Sequence, residues 1–229
     1  MAATATTIES RRLAALHREG LLDTAPEPGF DAIVRAAARA CAAPIALFNL
    51  VDADRSWSKA AVGQQQGAST PREFSPCAQA ILHPGVRLEV ADARADRRFA
   101  ALPQVATGVG WRLYAGVPVR SDSGDAIGTL CVFDRSPRAL TDAQRATLRE
   151  LALALESLVL ARRLHREASQ TLAARDDESP AALLVVAPGG TIEAASGRWL
   201  AEFGRERGAV IGHPLAGWVA AASRDAFAH

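Results

Sequence analysis

Three cysteines, Cys41, Cys77 and Cys131, carry the most reactive side chains of this 229-residue sequence. Their odd number and wide spacing, with no CxxC pair, give no support to a zinc site or a thioredoxin-type dithiol. They read as reduced, buried thiols. Cys77 is the one placed for redox chemistry, because it falls near the start of a short helical segment, Pro76 to Leu82, where a helix dipole lowers a thiol pKa. His17, His83, His213 and His229 have no metal-ligand spacing to one another. His165-Arg166-Glu167 has the look of a phosphoacceptor site, but Ala168-Ser169-Gln170 lacks the Arg and Pro that would follow, so it reads as a solvated helix face. No Walker loop, GxSxG or HExxH occurs.

Composition narrows the function classes further. Hydrophobic residues make up 49% and charged residues 22%, with a net charge of +1. That excludes a disordered chain and leaves no global field to draw in nucleic acid or an anionic membrane. Aromatics are 5% and Lys59 is the sole lysine. The longest apolar stretches, such as Cys41 to Val51, fall far short of the roughly 20 residues of a membrane helix. Met1 to Thr7 lacks the charged start and apolar core of a signal peptide and is expected to be disordered. A cytoplasmic location is expected.

The elements that must position these residues follow from periodicity. Ile8 to Glu19 and Phe30 to Cys41 have helical spacing, closed by Gly20 and Pro44. Ile45 to Val51 is an apolar run suited to a buried strand. Arg55 to Val62 is expected as its hairpin partner, with Trp57, Lys59 and Ala61 on one face. Gly63 to Ser75 reads as a polar loop, Leu88 to Val90 as a short strand, and Ala91 to Gly110 as irregular. Arg112 to Pro118 and Ala126 to Phe133 form a hairpin around Asp122, Gly124 and Asp125. Thr141 and Gln144 make a capping box for a helix running to about Arg175. Along it Leu148, Leu151, Leu155 and Leu158 make one apolar stripe and Leu153, Leu160 and Leu164 a second; one is expected to meet the sheet of the same domain and the other a helix of a second chain. Arg175 to Pro180 is a charged linker. Beyond it come a strand (Leu183 to Val186), a turn at Pro188-Gly189-Gly190, a strand (Thr191 to Ala194) and a helix ending near Phe203.

At Gly20-Leu21-Leu22-Asp23-Thr24, Pro26-Glu27 and Phe30-Asp31 the sequence resembles the GAF sensor domains of bacterial signalling proteins. The resemblance continues in order through Leu50-Val51-Asp52, Arg55, Trp57, Pro71-Arg72, Cys77, Ala80-Ile81, Asp92-Ala93, Arg98-Phe99-Ala100, Tyr114-Ala115-Gly116, Gly128-Thr129-Leu130-Cys131 and Leu140-Thr141. It covers residues 8–165. Residues 166–179 then read as a helical, charged linker. Residues 180–229 resemble the N-terminal half of a PAS domain, through the strand–turn–strand, Val210-Ile211-Gly212, Pro214-Leu215, Arg224 and Phe227. Departures fall at Phe74-Ser75-Pro76-Cys77, at Leu102 and Gln104, and at Val109-Gly110-Trp111, where pocket-covering loops are expected.

The resemblance implies an α+β fold: an antiparallel sheet with flanking helices and a loop-covered pocket, followed by an incomplete PAS-like segment. It places Trp57, Cys77, Phe99, Trp111, Tyr114 and Cys131 near the pocket. Tyr114 and Thr129 would supply hydroxyls, and Arg98 or Arg112 a cationic anchor; the Asp96-Arg97-Arg98-Phe99 cluster itself reads first as a structural latch, with Phe99 as its buried plug, ahead of a ligand contact. The implied function is a non-enzymatic sensory module of a histidine kinase or diguanylate cyclase type of protein. It would bind a small molecule and pair with a second copy through its first and last helices. The alternatives are a redox enzyme of the methionine sulfoxide reductase kind using Cys77 and Cys131, and a ligand-free dimerisation scaffold. The cofactor is unknown: bilin-binding relatives place a His directly after the Cys, where Ala78 stands here, and no haem or metal signature occurs.

Overall fold

Helix α1 (Ala2–Glu19) starts six residues before the expected Ile8 and takes in residues 2–7, expected to be disordered. The computed structural model describes residues 2–106, 110–178, 181–187 and 190–218, in two units, Met1–Ala161 and Arg162–His229. Pro28 at the first turn of α2 (Pro28–Ala40) suits a helix start, where its missing N–H is not needed.

Strands β1 (Ile45–Val51) and β2 (Arg55–Val62) form the expected hairpin. The polar loop contributes a short strand the periodicity did not show, β3 (Ser69–Pro71), paired with β2. Helix α3 (Pro76–Ala80), β4 (Leu88–Val90) and the short α4 (Pro103–Ala106) follow. The hairpin β5 (Leu113–Arg120) and β6 (Ala126–Asp134) completes a six-stranded antiparallel sheet in the order β3-β2-β1-β6-β5-β4.

Helix α5 (Asp142–Glu178) opens with the capping box: Gln144 N donates to Thr141 Oγ1 at 3.2 Å, and Thr141 N donates to Gln144 Oε1 at 3.0 Å. On one face of the sheet α1, α2 and α5 bury Leu16, Phe30, Val34, Leu148 and Leu155 against Phe48, Leu50, Ile127 and Leu130. Leu148 and Leu155 of the first stripe are buried against the sheet, and Leu153 and Leu160 of the second are left exposed.

In the second unit β7 (Leu184–Val186) pairs with β8 (Ile192–Ala195), and α6 (Gly197–Glu202) and α7 (Arg207–Val210) follow. Ser196 Oγ caps α6 by accepting from Trp199 N. Ile192, Ala195, Trp199 and Val210 form a small separate core. Val109, Pro188-Gly189, Arg224 and Phe227 lie outside the described residues.

Candidate functional site

Trp57 is on the wrong face for a pocket role. The β1–β2 register shifts after Phe48, which pairs with Ala60, while Asn49 pairs with Ser58. Lys59 is thus the extra residue of a β-bulge. The bulge breaks the expected grouping of Trp57, Lys59 and Ala61: Trp57 and Ala60 pack in the helix-side core and Ala61 against the opposite one. Lys59 itself is buried and donates at 2.7 Å to Thr24 Oγ1, the Ala25 carbonyl and Glu27 Oε1.

The two candidate cations are also taken. Arg112 makes a two-pronged pair with Asp92, both contacts at 2.6 Å. The Arg112 guanidinium in turn holds the Asp92 carboxyl down at about 2. Arg98 pairs with Asp96 at 3.0 and 2.7 Å and lies over the ring of buried Phe99. That geometry matches the latch, not the anchor.

The remaining candidates converge. On the sheet face opposite the helices, Tyr114, Thr129 and Cys131 lie with Cys77 of α3, all with no more than 0% exposure. Cys77 Sγ is 3.7 Å from Cys131 Sγ. Asn49 Nδ2 donates to Cys77 Sγ at 3.4 Å, and Asn49 Oδ1 accepts from Ser58 Oγ at 2.7 Å. Cys131 Sγ faces the Leu47 carbonyl at 3.6 Å. Tyr114 Oη and Thr129 Oγ1 have no hydrogen-bond partner of good geometry. The Cys131 thiol donating to Cys77 pulls the Cys77 thiol below its ordinary value against the effect of burial, with Thr129, Asn49 and Tyr114 adding to the pull. Burial and then the neighbouring Cys77 push Cys131 well up. Asn49, a polar residue inside the apolar run Ile45 to Val51, belongs to the cluster and was missed in the sequence.

Above it opens a cavity of about 520 Å³. Its wall joins Ile45, Leu47 and Asn49 of β1 to Phe133 of β6, Trp111, and the Phe74-to-Cys77 segment. Trp111 packs edge-on to Phe133 with ring centroids 5.5 Å apart, and Phe133 against Tyr114 at 5.0 Å. Gln104 donates to the Phe74 carbonyl and ties the covering loops together. The rim adds polar groups the sequence did not single out, namely Gln64, Thr70 and the exposed Arg135. An apolar wall with a few polar groups is the general form of a small-molecule site. Among the described residues no group of three or more His, Cys, Asp or Glu is placed to hold a metal, and no helix is long and apolar enough to cross a membrane.

A six-stranded antiparallel sheet, helices on one face and a loop-walled cavity on the other define a GAF-type α+β domain. The family model of the GAF domain matches residues 26–159, and the chain belongs to that family. Over 130 residues it is 42% identical to a cyclic di-GMP phosphodiesterase of Pseudomonas aeruginosa, a match covering 57% of this chain and 22% of that protein. The chain thus spans about a fifth of that relative's length. Among the solved structures that share the fold, two do so at a TM-score of 0.50 over 65% of this chain. One is a domain of a two-component sensor histidine kinase protein from Sinorhizobium meliloti, 19% identical and 99% covered. The other is the GAF domain of an Acinetobacter phosphoenolpyruvate-protein phosphotransferase, 20% identical and 92% covered.

Proposed function

We propose that residues 8–165 act as the sensory module of a bacterial signalling protein. The cavity between Trp111, Phe133 and the Phe74-to-Cys77 segment receives a small molecule. The parent protein is of the histidine kinase or cyclic-dinucleotide-metabolising type and cytoplasmic, and residues 180–229 form the first half of a PAS domain. The single observation that supports this reading best is the 520 Å³ cavity with both apolar and polar walls against the sheet. The exposed Arg135, in place of the neutralised Arg98 and Arg112, supplies the cation for an anionic ligand. Relay runs through α5, whose exposed Leu153 and Leu160 pair with a second copy. A ligand that shifts the covering loops biases this pairing through its different affinity for the two arrangements.

A thermal-shift screen of a metabolite collection tests the reading. A ligand at a hundred times its Kd adds about 2.7 kcal/mol, so a hit raises the melting temperature of the wild type and not of Trp111→Ala. A collection that shifts both proteins equally, or neither, counts against it. The Cys77–Cys131 contact favours one second reading, thiol-dependent reduction of methionine sulfoxide. A steady-state assay that loses activity in Cys77→Ser would establish it.

A further inference from the structure

We propose that Cys77 and Cys131 form a dithiol that a small hydroperoxide oxidises to a disulfide, Cys77 attacking and Cys131 resolving. The two sulfurs lie 3.7 Å apart, and the order of attack follows from where each stands. Cys77 belongs to the cavity wall, whereas Cys131 lies behind it on β6 and faces the Leu47 carbonyl. Asn49, itself fixed by Ser58, aims an N–H at Cys77 Sγ, so negative charge on that sulfur has a donor waiting. The lowered pKa of Cys77 and the raised pKa of Cys131 agree with this order. Cys41 has neither feature: it sits in the helix-side core, and burial raises its thiol pKa.

In the first step the Cys77 sulfur attacks the terminal peroxide oxygen and the O–O bond breaks. Cys77 becomes a sulfenic acid, and the leaving oxygen takes the Cys77 proton as an alcohol, or as water from hydrogen peroxide. In the second step the Cys131 sulfur attacks Cys77 Sγ and the S–O bond breaks. The hydroxide leaves as water with the Cys131 proton. Two thiols lose two electrons and the peroxide gains them. A disulfide needs a separation of about 2.0 Å, so the sulfurs must close by about 1.7 Å, drawing α3 toward β6. Because α3 supplies part of the cavity wall, oxidation reshapes the cavity. Both thiols have 0% exposure, so an oxidant reaches Cys77 through the cavity whose wall it joins, and hydrogen peroxide is expected to enter where the much bulkier oxidised glutathione does not.

The test treats the reduced full chain with hydrogen peroxide, oxidised glutathione or free methionine sulfoxide, followed by intact mass and non-reducing peptide mapping. Expected with peroxide alone is the loss of two hydrogens and a linked Cys77–Cys131 peptide. Cys131→Ser should stop at a sulfenic acid on Cys77 that dimedone traps, and Cys41→Ser should behave as wild type. Wild-type mapping does not depend on any variant folding. Oxidation of Cys41 first, a sulfinic Cys77 with no link, or a link formed by methionine sulfoxide but not by peroxide would each overturn the proposal.

Discussion

Tyr114 lays its hydroxyl over the α-carbon of Gly116, two residues along β5, so any β-carbon at Gly116 would collide with it. Gly116 pairs with Cys131 in the neighbouring strand, so the glycine is what lets an aromatic ring lie flat beside the thiol pair. Gly116→Ala is expected to destabilise the domain by about 1–3 kcal/mol, the usual cost of overpacking. Tyr114→Phe in the same chain should recover part of that loss, since it removes the nearest clashing atom. Urea denaturation of the two single variants and the double variant checks this; strictly additive costs would show that the residues do not meet.

Lys59 and Glu27 make an unequal ion pair, the lysine side chain with 0% exposure and the glutamate with 33%. Glu27→Gln leaves the buried ammonium with only the neutral acceptors Thr24 Oγ1 and the Ala25 carbonyl and should cost about 3 kcal/mol, in the range for breaking a buried pair. Lys59→Met leaves only a glutamate that can reach water, and should cost clearly less. Equal costs in thermal unfolding would contradict the assigned burial.

Acid stability should report on Glu9. Arg12, hydrogen-bonded to its carboxyl, holds it at about 2 instead of 4.5, with Arg72 assisting and burial opposing. A depressed carboxylate contributes stability above its unfolded value that is lost as pH falls through the folded one. Wild-type stability should therefore decline between about pH 4.5 and 2, and Glu9→Gln should show a shallower decline over the same window in pH-dependent denaturation.

Helix α5 separates core from surface within two residues. Leu155 is 0% exposed and Leu153 is 49% exposed. Leu155→Glu should unfold the domain or lower its melting temperature sharply, because it buries an unpaired charge. Leu153→Glu should leave melting nearly unchanged and shift sedimentation toward monomer. A Leu153→Glu chain that sediments as wild type would argue against pairing through this stripe.

Strands were the most legible part of the fold. β1, β2 and β4 fall on their expected bounds because apolar runs and turn residues act locally. The grouping of Trp57, Lys59 and Ala61 failed because a bulge at Lys59 leaves no mark on a period-two pattern, and the resemblance that put Trp57 near the pocket did not say which face of β2 it takes. The Asp96–Arg98 latch was readable from adjacent residues. The Asp92–Arg112 pair spans twenty residues and an irregular loop, so Arg112 looked free. Cys77 and Cys131 meet because α3 is packed on β6, a tertiary event that their spacing does not encode. Gln64, Thr70 and Arg135 were missed for a related reason: each is an ordinary polar residue until the loops close around the cavity.

Native mass spectrometry of the chain purified from bacterial cells tests the central claim most directly. The account predicts a retained small-molecule mass on the wild type that disappears when Thr70→Trp fills the cavity, with the fold intact by circular dichroism. A bare wild-type chain at every activation energy, or a retained mass indifferent to Thr70→Trp, would contradict it.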